Sequence, residues 1–352
     1  MNPLLPRTRV APFGQAGLAL GLGLASGFAG YRLSLPLPWM IGPLIGVTAA
    51  ALAGAPLRAP SALRPVVIPV LGVMLGSALT PEIFAALGRW AATIALLVPF
   101  LFASAAASYL IYRKIGGYDP VTAYFCAMPG GLNDMIVLGV AAGGQERKIA
   151  LAHAARIFVV VVFVVLFFGL VLGVRSGGIG RNWTALSVLS GTDWLVLGTC
   201  ALLGMLAGQW LRLPAAPIFG PMLLSGAAHV TELVAVPPPS VLIIAAQVVI
   251  GTVLGCRFVG ATLRGLGRDL ALGLLSALAM LAVAIVFAAV VAGITHVDVT
   301  QAFLAFSPGG LAEMSLLALA MGQDVAYVSV LHVVRITLVI GGASAMFRLL
   351  RR

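Results

Sequence analysis

Apolar positions along this chain do not alternate. They run in long blocks, and short segments carrying Arg, Lys, Asp and Glu separate the blocks. A hydrocarbon core of ~30 Å needs about 20 apolar residues in a helix, and blocks such as 90–112 and 149–174 meet that length. The pattern predicts helices near 12–33, 38–55, 64–82, 90–112 and 149–174, then near 194–211, 215–230, 239–258, 270–294 and 328–347. In each set a Pro-Gly-Gly segment, near 120–144 and near 299–322, precedes the last helix.

The two sets are copies. At a constant offset of 179, twelve positions between 129 and 160 are identical to their partners. They include Pro129/Pro308, Gly130/Gly309, Gly131/Gly310, His153/His332 and Arg156/Arg335, while Asp134 falls on Glu313. Gly42-Pro43 matches Gly220-Pro221, Gly72 and Gly76 match Gly251 and Gly255, and Leu87-Gly88-Arg89 matches Leu266-Gly267-Arg268. The chain therefore divides into repeat 1 (1–178) and repeat 2 (179–352), joined by a polar, Gly-rich linker near 175–193. Arg7 and Arg9 before an apolar run imitate a signal peptide. The match of Ala29-Gly30 with Ala207-Gly208 instead makes 12–33 the first membrane helix of repeat 1.

Composition fits a membrane chain: 61% hydrophobic, 9% charged, mean hydropathy +1.11. The net charge of +11 reads as topology-setting loop charge. No basic stretch has the aromatic interleaving of a nucleic-acid surface, so no direct nucleic-acid partner is expected. Cys126, Cys200 and Cys256 are scattered and suggest neither a disulfide framework nor a metal site.

Topology depends on whether the Pro-Gly-Gly segments cross the membrane. Nineteen Lys and Arg remain when Arg156 and Arg335 are set aside. Crossing segments place eleven inside and eight outside, whereas segments that enter and return place fifteen inside and four outside. The positive-inside rule favours the second arrangement. The expected fold is an all-α polytopic membrane protein of two inverted repeats. Each repeat has five spanning helices and one re-entrant hairpin, about ten spans in all, with both termini cytoplasmic.

Non-helical backbone survives at membrane depth only when buried in protein or lining a wet cavity. Two breaks entering from opposite faces would meet near the midplane, where secondary transporters hold solutes. Free amides at such tips attract anions. The candidate binding residues are Pro129, Gly130, Gly131, Asn133, Asp134, His153 and Arg156, with Pro308, Gly309, Gly310, Glu313, His332 and Arg335. An intramembrane carboxylate must be paired, neutral or hydrated, so Asp134 and Glu313 are candidates to carry H+ or Na+, or to clamp onto Arg156 and Arg335. His153/Arg156 and His332/Arg335 are each three apart and share a helix face. Asn133 has Ala312 as its counterpart, so the two sites are not equivalent. Gly42-Pro43 and Gly220-Pro221 are candidate bends around the site, and the Gly pairs at 72/76 and 251/255 have the spacing of close helix packing.

The duplicated PGG block followed by H-x-x-R resembles the membrane AbrB family, built on an AbrB duplication domain, over nearly the whole chain. The resemblance implies a bacterial inner-membrane protein. It does not extend to the small soluble DNA-binding AbrB regulator. Family labels include regulator of aidB expression and ammonia monooxygenase. Four histidines with only two in matching positions make a poor oxygenase metal site, so no catalytic residue, metal or cofactor is expected. No Walker motif appears, so an ion gradient is the expected energy source. The expectation is a secondary transporter of a small anionic or zwitterionic solute, with the lipid bilayer, the solute and H+ or Na+ as partners and a homo-oligomer left open. The alternative is a membrane sensor or regulator without solute turnover.

Overall fold

The computed structural model describes residues 12–81, 87–167, 183–261 and 263–350. Among these residues the chain is helical and has no strand. Before residue 168 it forms α1 (Pro12–Arg32), α2 (Pro38–Leu52), α3 (Arg64–Gly76), α4 (Ala91–Leu110, prolonged by a π-helical turn Ile111–Ile115), α5 (Pro120–Ala127), α6 (Leu132–Ala141) and α7 (Glu146–Leu166). After residue 182 it forms α8 (Gly191–Trp210), α9 (Ala216–Val230), α10 (Ser240–Gly255), α11 (Leu263–Thr295), α12 (Val299–Phe306), α13 (Leu311–Ala320) and α14 (Val325–Leu350). The 178/179 boundary and the charges Arg7, Arg9, Arg175, Arg181, Arg351 and Arg352 lie outside the described residues.

Among the described residues, six stretches are long and apolar enough to cross a membrane: Ala91–Ile115, Glu146–Leu166, Gly191–Trp210, Ser240–Phe258, Gly267–Thr295 and Val325–Ala343. The helices α2, α3 and α9 have 15, 13 and 15 residues, about 20–22 Å at 1.5 Å per residue. Each falls short of a ~30 Å core on its own. Apolar side chains on α1 and α8 (Phe13, Phe28, Leu195, Leu202) remain exposed, as expected of lipid-facing helices. Trp210, also exposed, sits at the end of α8, where indoles favour the membrane interface.

Glycines set the helix pairing. Gly42 of α2 lies against Ser26 and Gly27 of α1, and Gly220 of α9 lies against Gly204 of α8. The Gly-Pro pairs are thus points of close approach. Gly72 of α3 presses on Ile218 and Pro221, and Gly76 on Met222 and Ser225, so α3 runs alongside α9 in the same direction. Gly251 of α10 presses on Met40 and Pro43, and Gly255 on Val47 and Thr48, so α10 runs alongside α2. Each half therefore lends its third helix to the second helix of the other half. The largest core cluster joins Leu71, Met222, Val160, Phe306 and Leu331 from both halves.

The helices α4 and α11 occupy equivalent places in the sequence repeat and pack on each other. Phe100 meets Phe287 edge-on with ring centres 5.6 Å apart. Ser108 Oγ lies 2.6 Å from Ser276 Oγ. Arg268 donates to the carbonyls of Ile115 and Gly116 at 3.1 and 3.2 Å. The partner numbers fall as the α4 numbers rise, so the two helices are antiparallel.

Candidate functional site at the duplicated Pro-Gly-Gly breaks

Each Pro-Gly-Gly stands where one short helix stops and the next begins. Proline has no backbone N–H to continue α5 or α12. Met128 and Ser307 take extended backbone (ψ 127° and 131°), as do Gly131 and Gly310 (ψ 134° and 153°). The glycines have negative φ here, so their role is space. A methyl group on Gly131 would collide with the Asp134 carboxylate, and one on Gly310 with the Glu313 carboxylate. Gly130 is pressed by Val339 and Met135, and Gly309 by Met314.

The first break is the tip of a helical hairpin. Asp119 caps α5 by accepting from the Thr122 amide at 2.8 Å. The Gln145 amide donates to Thr122 Oγ1 at 2.9 Å, and Gln145 Nε2 to Asp119 Oδ2 at 3.2 Å. The start of α5 and the end of α6 are therefore side by side. Along α7, His153 Nε2 bonds the Phe125 carbonyl at 2.9 Å, and three residues later Arg156 reaches the break. So α7 runs parallel to α5, with α6 returning between them.

The arginines hold the breaks open in the same way twice. Arg156 Nη1 and Nη2 donate to the carbonyls of Met128 and Gly130 at 2.8 and 3.0 Å. Arg335 Nη1 and Nη2 donate to Ser307 and Gly309 at 2.5 and 2.6 Å. These carbonyls are the acceptors that a broken helix leaves without intrahelical partners. The alternative of Asp134–Arg156 and Glu313–Arg335 clamps is not what forms. Both forks turn to backbone oxygens, because planar guanidinium N–H pairs fit two neighbouring carbonyls. The acids fold back instead over the N-terminal turns of α6 and α13, where free amides and the helix dipole favour negative charge. Both arginines are buried, and the Nε of each has no hydrogen-bond partner.

The two sites differ, as the Asn133/Ala312 mismatch implied. Asn133 and Asp134 are exposed, whereas Glu313 is only 7% exposed. His153 bonds the hairpin at Phe125, while His332 Nδ1 bonds its own helix at the Val328 carbonyl and its ring also faces the Ser307 backbone at the break. The fields of Arg257 and Arg64 reach Glu313, and Arg257 also acts on His153. The positive-inside tally treats Arg257 as a loop charge. Its position inside the apolar run 239–258 was the available signal. A buried hydroxyl pair, Ser315 to Ser329 at 2.7 Å, ties α13 to α14 and was not anticipated. Among the described residues, no group of His, Cys, Asp or Glu could hold a metal ion.

Long apolar helices, helix-breaking backbone satisfied by buried arginines and a lipid-compatible exterior define a multi-pass helical membrane protein. The chain belongs to the AbrB family, whose model, described as "Transition state regulatory protein AbrB", matches residues 39–351. It is 26% identical over 339 residues to the "Putative regulator AbrB" of Escherichia coli (strain K12), covering 96% of this chain and 97% of that protein. It is 24% identical over 296 residues to the "Uncharacterized protein YhjN" of Bacillus subtilis (strain 168), covering 80% of this chain and 77% of that protein.

Proposed function

We propose that this chain is a secondary, ion-gradient-driven transporter of a small anionic or zwitterionic solute, with its site at the two Pro-Gly-Gly breaks. The observation that carries the reading is the duplicated arginine fork. Two buried guanidiniums spend their Nη groups on break carbonyls, and each keeps an unpartnered Nε–H. Neither break supplies a counter-carboxylate to its arginine. A solute anion would complete both the charge and the hydrogen bonding.

The proposed architecture is two inverted repeats, each with five spans and one re-entrant hairpin. Three packing facts support it: matched helices α4 and α11 are antiparallel, the ends of α5 and α6 are joined through Gln145, and the two halves exchange their third helices. Lys148 lies 4.3 Å over the Tyr118 ring, and Arg113 donates to the Tyr118 carbonyl. This juxtaposition fits the topology in which Arg113, Lys148 and Arg268 share the cytoplasmic face of the inner membrane.

In this mechanism Glu313 is the coupling group. Its carboxylate covers the amides at the start of α13, the place where a solute anion would bind. Protonation, or a bound Na+, would release those amides, so ion and solute load together. Uptake by proteoliposomes tests this. Glu313→Gln in a protein that still folds should abolish gradient-driven accumulation, and wild-type accumulation would overturn the assignment. The second reading is a membrane sensor or regulator without turnover, and the name of the Escherichia coli relative, a regulator, favours it. Under that reading, ligand binding would persist with no net flux into vesicles.

A further inference from the structure

A cavity of about 850 Å³ opens on the outer face of the bundle between α4, α5 and α14. Its walls include Val98, Phe102 and Tyr109 of α4, Tyr124 of α5, Met128 at the break and Gly342 of α14. The lining is apolar, and Val98 and Phe102 are 44% and 56% exposed. Tyr124 spends its hydroxyl on the Ala343 carbonyl at 2.8 Å, so it adds little polarity. The matching place in the other half is packed more closely. There α11 packs along α7, with Gly273 against Ala155 and room for no side chain between them. Where α7 meets α11 directly, α14 and α4 stand apart.

The depth and the mouth of the cavity identify its occupant. From Val98 to Tyr109 the α4 wall rises eleven residues, about 16 Å at 1.5 Å per residue. That is about half of a ~30 Å hydrocarbon core, the depth of one leaflet. The wall continues past Tyr109 into exposed Arg113 and Lys114. Pro120, which also lines the cavity, adjoins the knot around Tyr118. That knot gathers Arg113, Lys148, Arg268 and the acids Asp119 and Asp269. The cations outnumber the acids there.

We infer that this cavity is a phospholipid site. One acyl chain fills the slot between α4 and α14, and an anionic headgroup lies against Arg113 and Lys114. The chain's end reaches Met128 and Pro129, so the lipid touches the same break that Arg156 holds. The inference rests on the cavity and its mouth, and it stands whether or not the protein transports a solute.

Native mass spectrometry of the full chain in detergent, titrated with phosphatidylglycerol or phosphatidylcholine, tests this. Wild type should retain phosphatidylglycerol adducts about fivefold more than phosphatidylcholine, the preference expected from a headgroup-level cation. A Cβ on Gly342 meets nothing within 4 Å, so Gly342→Ala is accommodated and leaves the slot open, whereas Gly342→Trp adds an indole at its wall. Gly342→Trp should lose the adducts, and Gly342→Ala should keep them. Arg113→Gln with Lys114→Gln should erase the headgroup preference. Wild-type adducts in Gly342→Trp would overturn the site. So would disulfide crosslinking between copies through Phe102→Cys, which would make a second chain the occupant.

Discussion

Ser108 and Ser276 face each other at 2.6 Å although neither is the repeat counterpart of the other. They meet because α4 and α11, which are counterparts, lie antiparallel. The contact is buried, so both hydroxyls need partners inside the protein, and Ser276 also faces the Tyr112 hydroxyl. In a background lacking Cys126, Cys200 and Cys256, Ser108→Cys with Ser276→Cys should form a disulfide on mild oxidation. Ser108→Cys paired with a cysteine at Phe287, the counterpart of Ser108, should not. Intramolecular crosslinking seen by mobility on gels decides between them, and the reverse pattern would make the helices parallel.

Arg335 holds two carbonyls from a planar fork, which an ammonium cannot do. Arg335→Lys should therefore destabilise the protein by about 2–3 kcal/mol, the scale of a lost buried charged hydrogen bond. Thermal unfolding in detergent checks it. A midpoint unchanged within error would mean that the fork is not what supports the break.

The break glycines make a paired prediction. Gly310→Ala places a methyl group where the Glu313 carboxylate lies. The variant should lose about 1–3 kcal/mol through overpacking. Adding Glu313→Ala removes the collision and should restore most of that loss. A double-mutant cycle reads the coupling directly. Purely additive effects would mean that the carboxylate is elsewhere.

Much of this arrangement is legible in the sequence. The helices fall within a few residues of the apolar blocks, and the offset of 179 locates both breaks, both histidines and both arginines. The pairing of those groups is not legible. A carboxylate a few positions after each Pro-Gly-Gly, with an arginine on the next helix, suggests ion pairs. A broken helix, however, leaves carbonyls that need donors as badly as an arginine needs acceptors, and sequence spacing does not rank the two. The lengths of α2 and α3 were overestimated for a related reason. Hydropathy continues past Leu52 and Gly76, but Gly54 at φ 88° and the turn after Ser77 end the helices there.

Asp119 gives a pH dependence at the base of the first hairpin, outside the spans. Partial burial would push its carboxyl up, but hydrogen bonds from Thr122 and Gln145 outweigh it and hold the group below its ordinary value. A depressed folded-state pKa contributes stability above the unfolded value of about 3.9 and loses it as pH falls through the folded value. Asp119→Ala should therefore lower the unfolding midpoint at pH 6. The gap from wild type should close as pH falls toward 3. A gap that is constant with pH would assign the effect to packing rather than to the carboxylate.

Gln145 and Asp324 are equivalent loop positions after the two breaks, and their sidedness tests the architecture as a whole. The Gln145 loop is bonded to the start of α5 through Thr122 and Asp119. If α5–α6 enters and returns, this loop shares a face with Arg113 and Lys114. The antiparallel run of α4 and α11 then puts Asp324 on the other face. Single cysteines at the two positions, in the background lacking native cysteines, should react with impermeant maleimide from opposite sides of the membrane. Gln145→Cys should label from the cytoplasmic side. Labelling of both from one face would mean that the segments cross, the halves are parallel and the two breaks do not face each other. The solute site would then lose its geometric basis, and a ligand-sensing role would become the stronger reading of the same buried arginines.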